Sequence, residues 1–301
     1  MRSNKKLIHK IKVLILIAFG MYLILLRPSQ VKREKTVKPE FQSLVVYLKE
    51  QGFPEDTIKA IFSDPRVEFY EQVIYQNLSR EVLSPVSHPY RDRVPVYEIE
   101  DFMKEYRSYL DLAEKKYGVD RETIVAVLFT ETKLGRILGR YPVFNVLSSL
   151  AVAGNEENLR RIENYVHIKY HYLDYDSRIG VIKRLQERAK KKSKWAKNEL
   201  ASLIRLHLTT NIDALSLVGS YAGAFGLPQF MPSSFLKFGV DGDKDGEIDL
   251  FSFPDAIMSV ANFLSRAGWG NHYLSQRRAL LRYNYSRVYV SKVLNLASLL
   301  R

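Results

Sequence analysis

Apolar residues recur every three to four positions along most of the chain, which is the spacing of a helix with one buried face. In the first part of the chain, turn residues interrupt this pattern and predict helices over Phe41–Gln51, Glu55–Phe62 and Glu98–Tyr117. A proline-containing loop at 84–89 precedes the last of them. Strand-type alternation does not persist beyond a few residues, and no internal repeat is present. The pattern therefore predicts a mainly α chain.

The second half of the chain continues the helical pattern. Residues 155–208 are rich in charge, and five lysines lie between Lys190 and Lys197. Such a run is typical of a solvated helix face, with a groove for an anionic polymer as the alternative. His167 and His171 have the i, i+4 spacing of a metal pair. Because they lack the HExxH context, we interpret them as surface or packing residues.

The amino terminus carries a long apolar run. Residues 13–26 are uncharged, follow five basic residues and would reach about 21 Å as a helix, short of the roughly 30 Å hydrocarbon core. This length favours a cleaved signal peptide, with a buried core helix as a further alternative. No small-x-small cleavage site follows Leu26, and snorkelling lysines could extend the span. We therefore predict an uncleaved membrane anchor and an extracytoplasmic protein, periplasmic or at the cell surface.

Composition and charge distinguish the N-terminal segment from the rest of the chain. Residues 1–40 comprise the anchor or signal segment and a basic tether, and residues 41–301 are predicted to form one domain. The first 40 residues hold ten Lys/Arg and two Glu, so they carry +8 of the net +13 and leave only +5 for the domain. This mild charge gives no support for a nucleic-acid partner. The absence of cysteine excludes disulfides, thiolate metal sites and cysteine nucleophiles.

One carboxylate occupies a position at which the pattern predicts burial. Asp120 is a candidate N-cap for a helix over Glu122–Leu134, and Gly135 suits the C′ position after it. Glu131 lies on the same face of this helix as three apolar residues, Ile124, Val127 and Leu128.

A carboxyl group on the core-facing side of a helix is costly unless it is paired or borders a cleft. Beside a cleft, burial raises its pKa into the range that a general acid needs at neutral pH. The alternative is an ordinary helix-end glutamate paired with Lys133 or Arg136. The pattern alone leaves both interpretations of Glu131 open.

Three segments carry a resemblance to a known family. They are Glu131–Gly135 with the following Gly139–Leu150, then Gly219–Ser234, and finally Arg282–Tyr289. From about Phe41 to Leu300 the chain resembles the membrane-bound lytic murein transglycosylase B (MltB-type) family, in which these segments occur in the same order.

The resemblance implies a mainly α, lysozyme-like fold of the α+β lysozyme type, and cleavage of the β-1,4 bond between N-acetylmuramic acid and N-acetylglucosamine. Glu131 would protonate the glycosidic oxygen and then take the proton of the muramoyl C6 hydroxyl, which closes a 1,6-anhydro ring. No catalytic cofactor is expected, and the partners would be peptidoglycan strands and, through the N-terminal segment, the membrane. The alternatives are a hydrolytic muramidase and a non-catalytic peptidoglycan-binding or scaffold protein.

The resemblance also implies a set of substrate-binding residues: Ser220, Gln229, Tyr283, Asn284, Tyr289 and, on weaker local similarity, Tyr90. Local interpretations remain open beside it. The Gly-, Ala- and Ser-rich stretch 219–226 equally suits close backbone packing, and Tyr289 equally suits a core position. Phe263 stands where family members often carry tyrosine.

The loop 241–255 predicts a cation site. Its first residues, Asp241, Asp243 and Asp245, offer oxygen ligands at positions 1, 3 and 5 of an EF-hand-like loop, with glycine at position 6 and the carbonyl of Glu247 at position 7. Position 9 is Asp249, and position 12 is Ser252 where an EF-hand has glutamate. The family resemblance implies a longer loop closed by Asp255. The alternative role of Asp255 is to stabilise the dipole of a predicted helix, Ala256–Arg266, at its start. We expect a structural Ca²⁺, with a metal-free Asp/Gly turn as the alternative.

Overall fold

The computed structural model describes residues 36–83 and 95–301. Residues Val37–Arg301 form one compact unit, which contains every described helix and strand. The predicted anchor at 13–26 lies outside the described residues. Within the described ranges, no helix combines the length and the apolar character that a membrane span requires.

Helices dominate the described part of the chain. A 3₁₀ turn, Pro39–Phe41, precedes thirteen α-helices, and two short strands interrupt their order. The helices are α1 (Gln42–Glu50), α2 (Glu55–Phe62), α3 (Glu71–Leu83), α4 (Val96–Glu105), α5 (Arg107–Tyr117), α6 (Arg121–Thr132), α7 (Val143–Ala151), α8 (Glu156–Lys169), α9 (Tyr175–Thr209), α10 (Pro232–Phe238), α11 (Phe253–Arg266), α12 (Tyr273–Tyr283) and α13 (Arg287–Leu299). The strands are β1 (Tyr141–Pro142) and β2 (Val218–Gly219).

Helix α6 lies at the centre of the fold. It packs against α5, α11 and α13, and every residue from Thr123 to Phe129 is buried. The sequence pattern predicted one buried face, whereas neighbours on several sides bury the whole middle of the helix. A helix enclosed in this way is held rigidly, and so is the residue at its carboxyl end.

A second layer forms where α7 packs against the long helix α9. At 35 residues, α9 extends roughly 52 Å. Small residues on its inner face, including Ala189 and Ser193, allow close approach, and the Ser193 hydroxyl donates to the carbonyl oxygen of Ala151 at 2.5 Å. Lys190, Lys191 and Lys194 are exposed on the outer face, as expected for a solvated helix.

Several boundaries differ from the sequence prediction for reasons that lie in tertiary packing. The predicted helix 98–117 is broken at Tyr106, whose ring packs against Phe102 and Phe253 at centroid distances of 4.7 and 4.9 Å. Residues 155–208 form two helices, because the side chain of Asp174 accepts from the Ser177 N–H and starts α9 anew.

The two strands pair antiparallel, with Tyr141 opposite Gly219. At two residues each, they are too short to produce the alternation that sequence analysis requires of a strand. Gly219 has no room for a side chain, since an added Cβ would lie 2.1 Å from the carbonyl oxygen of Ala224. The pairing of β1 with β2 joins the segment that follows helix α6 to the Gly219–Ser234 segment.

Candidate active site

Glu131 lies in the last turn of α6, immediately before a sharp change of chain direction. Helix α6 ends at Thr132, two residues earlier than predicted, and Lys133 and Leu134 adopt left-handed φ values of 54° and 53°. Non-glycine residues rarely take this conformation, and two in succession store strain of the kind found at functional sites. Gly135 continues the turn at φ 84°.

The surroundings of Glu131 raise its pKa to about 7, mainly because burial penalises the charged form. The hydroxyl of Tyr289 and the ammonium of Lys292 act in the opposite direction, but burial outweighs them. The side chain is only partly accessible to solvent. A substantial fraction of Glu131 is therefore protonated near neutral pH, and the side chain is still open to a reaction partner.

The helix-end ion pair considered from the sequence does not form with Arg136. That guanidinium pairs with Glu98 instead. The ammonium of Lys133 lies over the ring of Phe129, 4.2 Å from its centroid. Glu131 is thus partly buried without the predicted pairing to Arg136, and the cleft beside it stays a prediction.

An aromatic wall stands beside Glu131. The rings of Tyr283 and Tyr289 are stacked, with centroids 6.2 Å apart and an interplanar angle of 8°. Burial raises the pKa of both tyrosines well above the ordinary value, and the charge of Glu131 adds to this, so both hydroxyls stay neutral. Phe263 packs against Tyr283 at 4.7 Å, and Asn284 is exposed where α12 ends.

Ser220 follows strand β2 in a tight turn. Its Oγ accepts hydrogen bonds from the N–H groups of Ala222 at 3.3 Å and Ala224 at 3.1 Å. Because the oxygen accepts in both contacts, the hydroxyl hydrogen remains free to be donated. The close backbone packing predicted as an alternative for 219–226 is also present, and the two interpretations are compatible.

Gln229 belongs to a turn, residues 226–230, that several elements hold in place. Its φ is 49°, and its Nε2 donates to the carbonyl oxygens of Gly226 at 2.9 Å and Leu138 at 3.2 Å. The Tyr283 hydroxyl donates to the carbonyl oxygen of Pro228 at 2.6 Å. The side-chain nitrogen of Gln229 therefore fixes the protein itself, and its Oε1 is the atom left for a ligand.

Sequence reasoning overlooked two residues of the site. Thr132 is fully buried, and its hydroxyl donates to the carbonyl oxygen of Leu227 in the 226–230 turn. Lys292 acts on the charge of Glu131 from helix α13. Its spacing of three residues from Tyr289 places both on one side of a helix, a signal that the sequence contained. Tyr90, in contrast, lies outside the described residues.

The predicted cation loop brings together carboxylates that are distant in sequence. Oxygens of Asp241, Asp243 and Asp255 lie within 4.8 Å of one another. Asp255 is 2% exposed, and burial raises the pKa of its carboxyl group above the ordinary value. Its two oxygens accept from the N–H groups of Gly242 at 2.7 Å and Asp249 at 2.6 Å. Hard oxygen donors around a buried carboxylate are a donor set that Ca²⁺ fits.

The side chains of two other predicted ligands lie outside this cluster of three carboxylates. The Glu247 side chain accepts from Nδ2 of Asn211 at 2.6 Å, which leaves its backbone carbonyl for the loop, as position 7 requires. The Asp245 carboxylate accepts from the N–H of Glu247 at 2.8 Å, and it is not among the three clustered carboxylates. The loop reaches the active site through Leu250, whose carbonyl oxygen accepts from the Leu227 N–H at 2.8 Å.

The helical scaffold falls in the class of lytic transglycosylase folds. Residues 36–278 match the family described as Transglycosylase SLT domain, and the chain belongs to this family. The membrane-bound lytic murein transglycosylase B of Escherichia coli is 30% identical over 168 residues. Those residues are 56% of this chain but only 37% of the length of that relative.

Solved structures confirm the mainly α, lysozyme-like fold. The soluble lytic transglycosylase SltB1 of Pseudomonas aeruginosa is 25% identical, with a TM-score of 0.60 over 86% of this chain and 97% of its own. Escherichia coli Slt35, solved in complex with calcium, is 21% identical, with a TM-score of 0.61 over 87% of this chain and 92% of its own. The resemblance inferred from three sequence segments is thus confirmed at the level of family and fold.

Proposed function

We propose that this chain is a peptidoglycan lytic transglycosylase that cleaves the β-1,4 bond between N-acetylmuramic acid and N-acetylglucosamine. One observation carries the proposal: a carboxyl group with a pKa of about 7 lies beside stacked tyrosines at the rigid end of the central helix. Family membership and the likeness to lytic transglycosylases support the choice of substrate.

The reaction uses Glu131 twice. In its protonated form it donates a proton to the glycosidic oxygen as the bond to the muramoyl C1 breaks. The resulting carboxylate takes the proton of the muramoyl C6 hydroxyl, whose oxygen bonds to C1. The products are a free N-acetylglucosamine hydroxyl and a 1,6-anhydromuramoyl end, and Glu131 recovers its proton without consuming water.

The composition of the segments that resemble the family favours this route over ordinary hydrolysis. Retaining and inverting glycosidases use a second carboxylate, about 5 to 9.5 Å from the acid. In the three segments that carry the family resemblance, residues 131–150, 219–234 and 282–289, Glu131 is the only carboxylate side chain. An internal hydroxyl nucleophile removes the need for the second acid.

The remaining residues bind and orient the sugar. The free hydroxyl hydrogen of Ser220 and the Oε1 of Gln229 offer one donor and one acceptor. Tyr283 and Tyr289 offer aromatic rings, whose faces carry partial negative charge and favour the positive charge that develops on the sugar ring. Asn284 and Tyr90 complete the proposed set, as the family resemblance implies.

A structural Ca²⁺ in the 241–255 loop is part of the proposal. Asp241, Asp243 and Asp255 would hold it with the carbonyl of Glu247, and Asp245 would contribute from a neighbouring position. When bound, the ion supplies charge neutralisation to the clustered carboxylates and takes no part in bond cleavage. The hydrogen bond between Leu250 and Leu227 carries its stabilising effect to the active site.

We also propose that residues 1–40 anchor the enzyme at the membrane and that residues 41–301 form the catalytic domain outside the cytoplasm. The apolar run at 13–26 and the membrane-bound relative support this location. The partners are then peptidoglycan strands and the membrane, and the mild charge of the domain gives nucleic acid no role.

The decisive experiment digests purified sacculi with the wild-type protein and with Glu131→Gln, followed by mass spectrometry of the released fragments. We expect 1,6-anhydro products, one water lighter than hydrolysis products, from the wild type alone. Products with reducing ends would identify a hydrolytic muramidase. Equal digestion by both proteins would refute the role of Glu131, and binding without digestion would identify a scaffold protein.

A further inference from the structure

A cavity of about 500 Å³ lies beyond the aromatic wall. Three basic side chains, Lys237, Arg266 and Arg282, line it together with Phe238 and Phe263. They come from three different helices, α10, α11 and α12, so the fold brings together charges that the sequence keeps apart.

These three cations lack an acidic partner within the described ranges of the chain. None of them takes part in a salt bridge there. Arg282 donates from Nη1 to the carbonyl oxygen of Ala267 at 3.0 Å, and Arg266 to that of Lys237 at 3.5 Å. Since a guanidinium has five N–H donors, most remain available to a ligand.

One carboxylate contacts the lining of the cavity through Ser233, and it is already engaged. Glu199 is buried, and its two oxygens accept from the N–H of Ser233 at 3.0 Å and from its hydroxyl at 2.8 Å. It anchors the start of α10 beneath the cavity. The concave surface itself presents positive charge, which attracts and concentrates anionic groups.

The wall of the cavity contacts the aromatic residues of the proposed active site. Phe263 lines it and also packs against Tyr283, which stacks on Tyr289 beside Glu131. Two ring contacts therefore link the cavity wall to the tyrosine beside Glu131. Phe263 lies 4.7 Å from Tyr283, and Tyr283 lies 6.2 Å from Tyr289, measured between ring centroids.

We propose that this cavity binds the carboxylate groups of the acidic peptide stem carried by the muramoyl residue of the substrate. The inference rests on the proposed function, because the stem is attached to the sugar that reacts at Glu131. A five-residue stem can extend at most about 18 Å, which is longer than the two ring-centroid distances from Phe263 to Tyr289 taken together. Guanidinium groups recognise carboxylates through paired hydrogen bonds, so Arg266 and Arg282 suit this ligand.

The test compares soluble glycan strands that retain their stems with strands denuded by an amidase. For each protein, kcat/KM for anhydro-end formation is measured on both substrates, and the ratio of the two values is the readout. We expect Lys237→Gln/Arg266→Gln to lower the ratio of stem-bearing to denuded turnover about tenfold, from the loss of two charge-assisted contacts. The matched variant Lys183→Gln/Arg184→Gln, which removes the same charge from exposed positions on α9, should leave the ratio unchanged.

Binding to the same strands provides a second readout that does not need turnover. The affinity of the Lys237→Gln/Arg266→Gln variant should fall for stem-bearing strands only, and the wild-type preference should weaken with salt. An unchanged ratio in both readouts overturns the proposed stem site. Failure of the wild type to form anhydro ends on either substrate refutes the transglycosylase function instead, and the binding comparison still decides the stem site.

Discussion

The hydroxyl of Thr132 donates a hydrogen bond to the carbonyl oxygen of Leu227 at 3.0 Å, although 95 positions separate the two residues in sequence. The same hydroxyl oxygen accepts from the N–H of Gly135 at 3.1 Å. This contact joins the end of helix α6 to the 226–230 turn that carries Gln229. It therefore fixes Glu131 relative to the residues proposed to bind the sugar.

Replacing Thr132 with valine should separate positioning from chemistry. Valine has a similar shape but leaves the Leu227 carbonyl and the Gly135 N–H without partners, at a cost of about 1 to 3 kcal/mol in the free energy of unfolding. We expect kcat to fall at least about tenfold, because small displacements of a catalytic group are costly. Denaturant unfolding and initial rates on sacculi measure the two effects.

Thr132→Ser is the matched control, since it keeps the hydroxyl and removes one methyl group. It should restore most of kcat while losing some stability to the small cavity. If serine and valine reduced kcat equally, packing rather than the hydrogen bond would position Glu131.

The pH dependence of the reaction follows from the raised pKa of Glu131. The acid must be protonated to act, so kcat/KM should fall as the pH rises through about 7. The Tyr289 hydroxyl lowers this pKa, and Tyr289→Phe should therefore move the alkaline limb to higher pH. A pH–rate profile of both proteins tests the shift, and a limb that moved to lower pH would contradict it.

The same raised pKa predicts that Glu131 destabilises the fold. Its folded pKa, about 7, lies above the unfolded value near 4.5, so burial costs nothing below pH 4.5 and costs progressively more until the pH passes 7. Glu131→Gln should match the wild type near pH 4 and be more stable at pH 8, by at most about 3 kcal/mol. Thermal unfolding at both pH values measures the difference, and a variant less stable than wild type at pH 8 would refute the burial argument.

Much of the fold could be predicted because turn residues mark where helices begin and end. Gly52 and Pro54 separate α1 from α2 as expected, and Gly118 adopts the left-handed conformation after α5. The break at Tyr106 could not be predicted, since it depends on packing against Phe253, nearly 150 residues away in sequence. Local pattern carries no information about such contacts.

The candidate site, like the fold, has residues that the sequence could identify and residues that it could not. Helical spacing placed Glu131 among buried residues, and the family resemblance supplied Ser220, Gln229 and Tyr283. Neither source identified Thr132, because its role depends on a hydrogen bond to a backbone carbonyl that any residue could provide. The early end of α6 was missed as well, since Lys133 rather than glycine takes the first left-handed position.

Calcium should stabilise the protein through the clustered carboxylates. We expect added Ca²⁺ to raise the melting temperature and a chelator to reverse the rise, because a ligand that binds only the folded state stabilises it. Asp255→Asn should abolish the calcium-dependent shift. Glu247→Gln should retain it, since the Glu247 side chain contacts Asn211 and the proposed ligand is its backbone carbonyl. A wild-type melting temperature that did not respond to calcium would contradict the ligand assignment. An equal loss of the calcium-dependent shift in Asp255→Asn and Glu247→Gln would contradict it as well.

Gln229→Glu tests whether the Gln229 side chain supports the protein or only touches the substrate. The substitution removes the Nε2 donor and turns carboxylate oxygens toward the carbonyls of Gly226 and Leu138, two acceptors that repel them. We expect the free energy of unfolding to fall by about 1 to 3 kcal/mol and kcat to fall with it. Gln229→Met, which loses the hydrogen bonds without adding charge, should lose less stability than Gln229→Glu. If Gln229 served only as a sugar ligand, both substitutions would raise KM and leave the unfolding midpoint unchanged. In that case the amide nitrogen of Gln229 would not be holding the 226–230 turn.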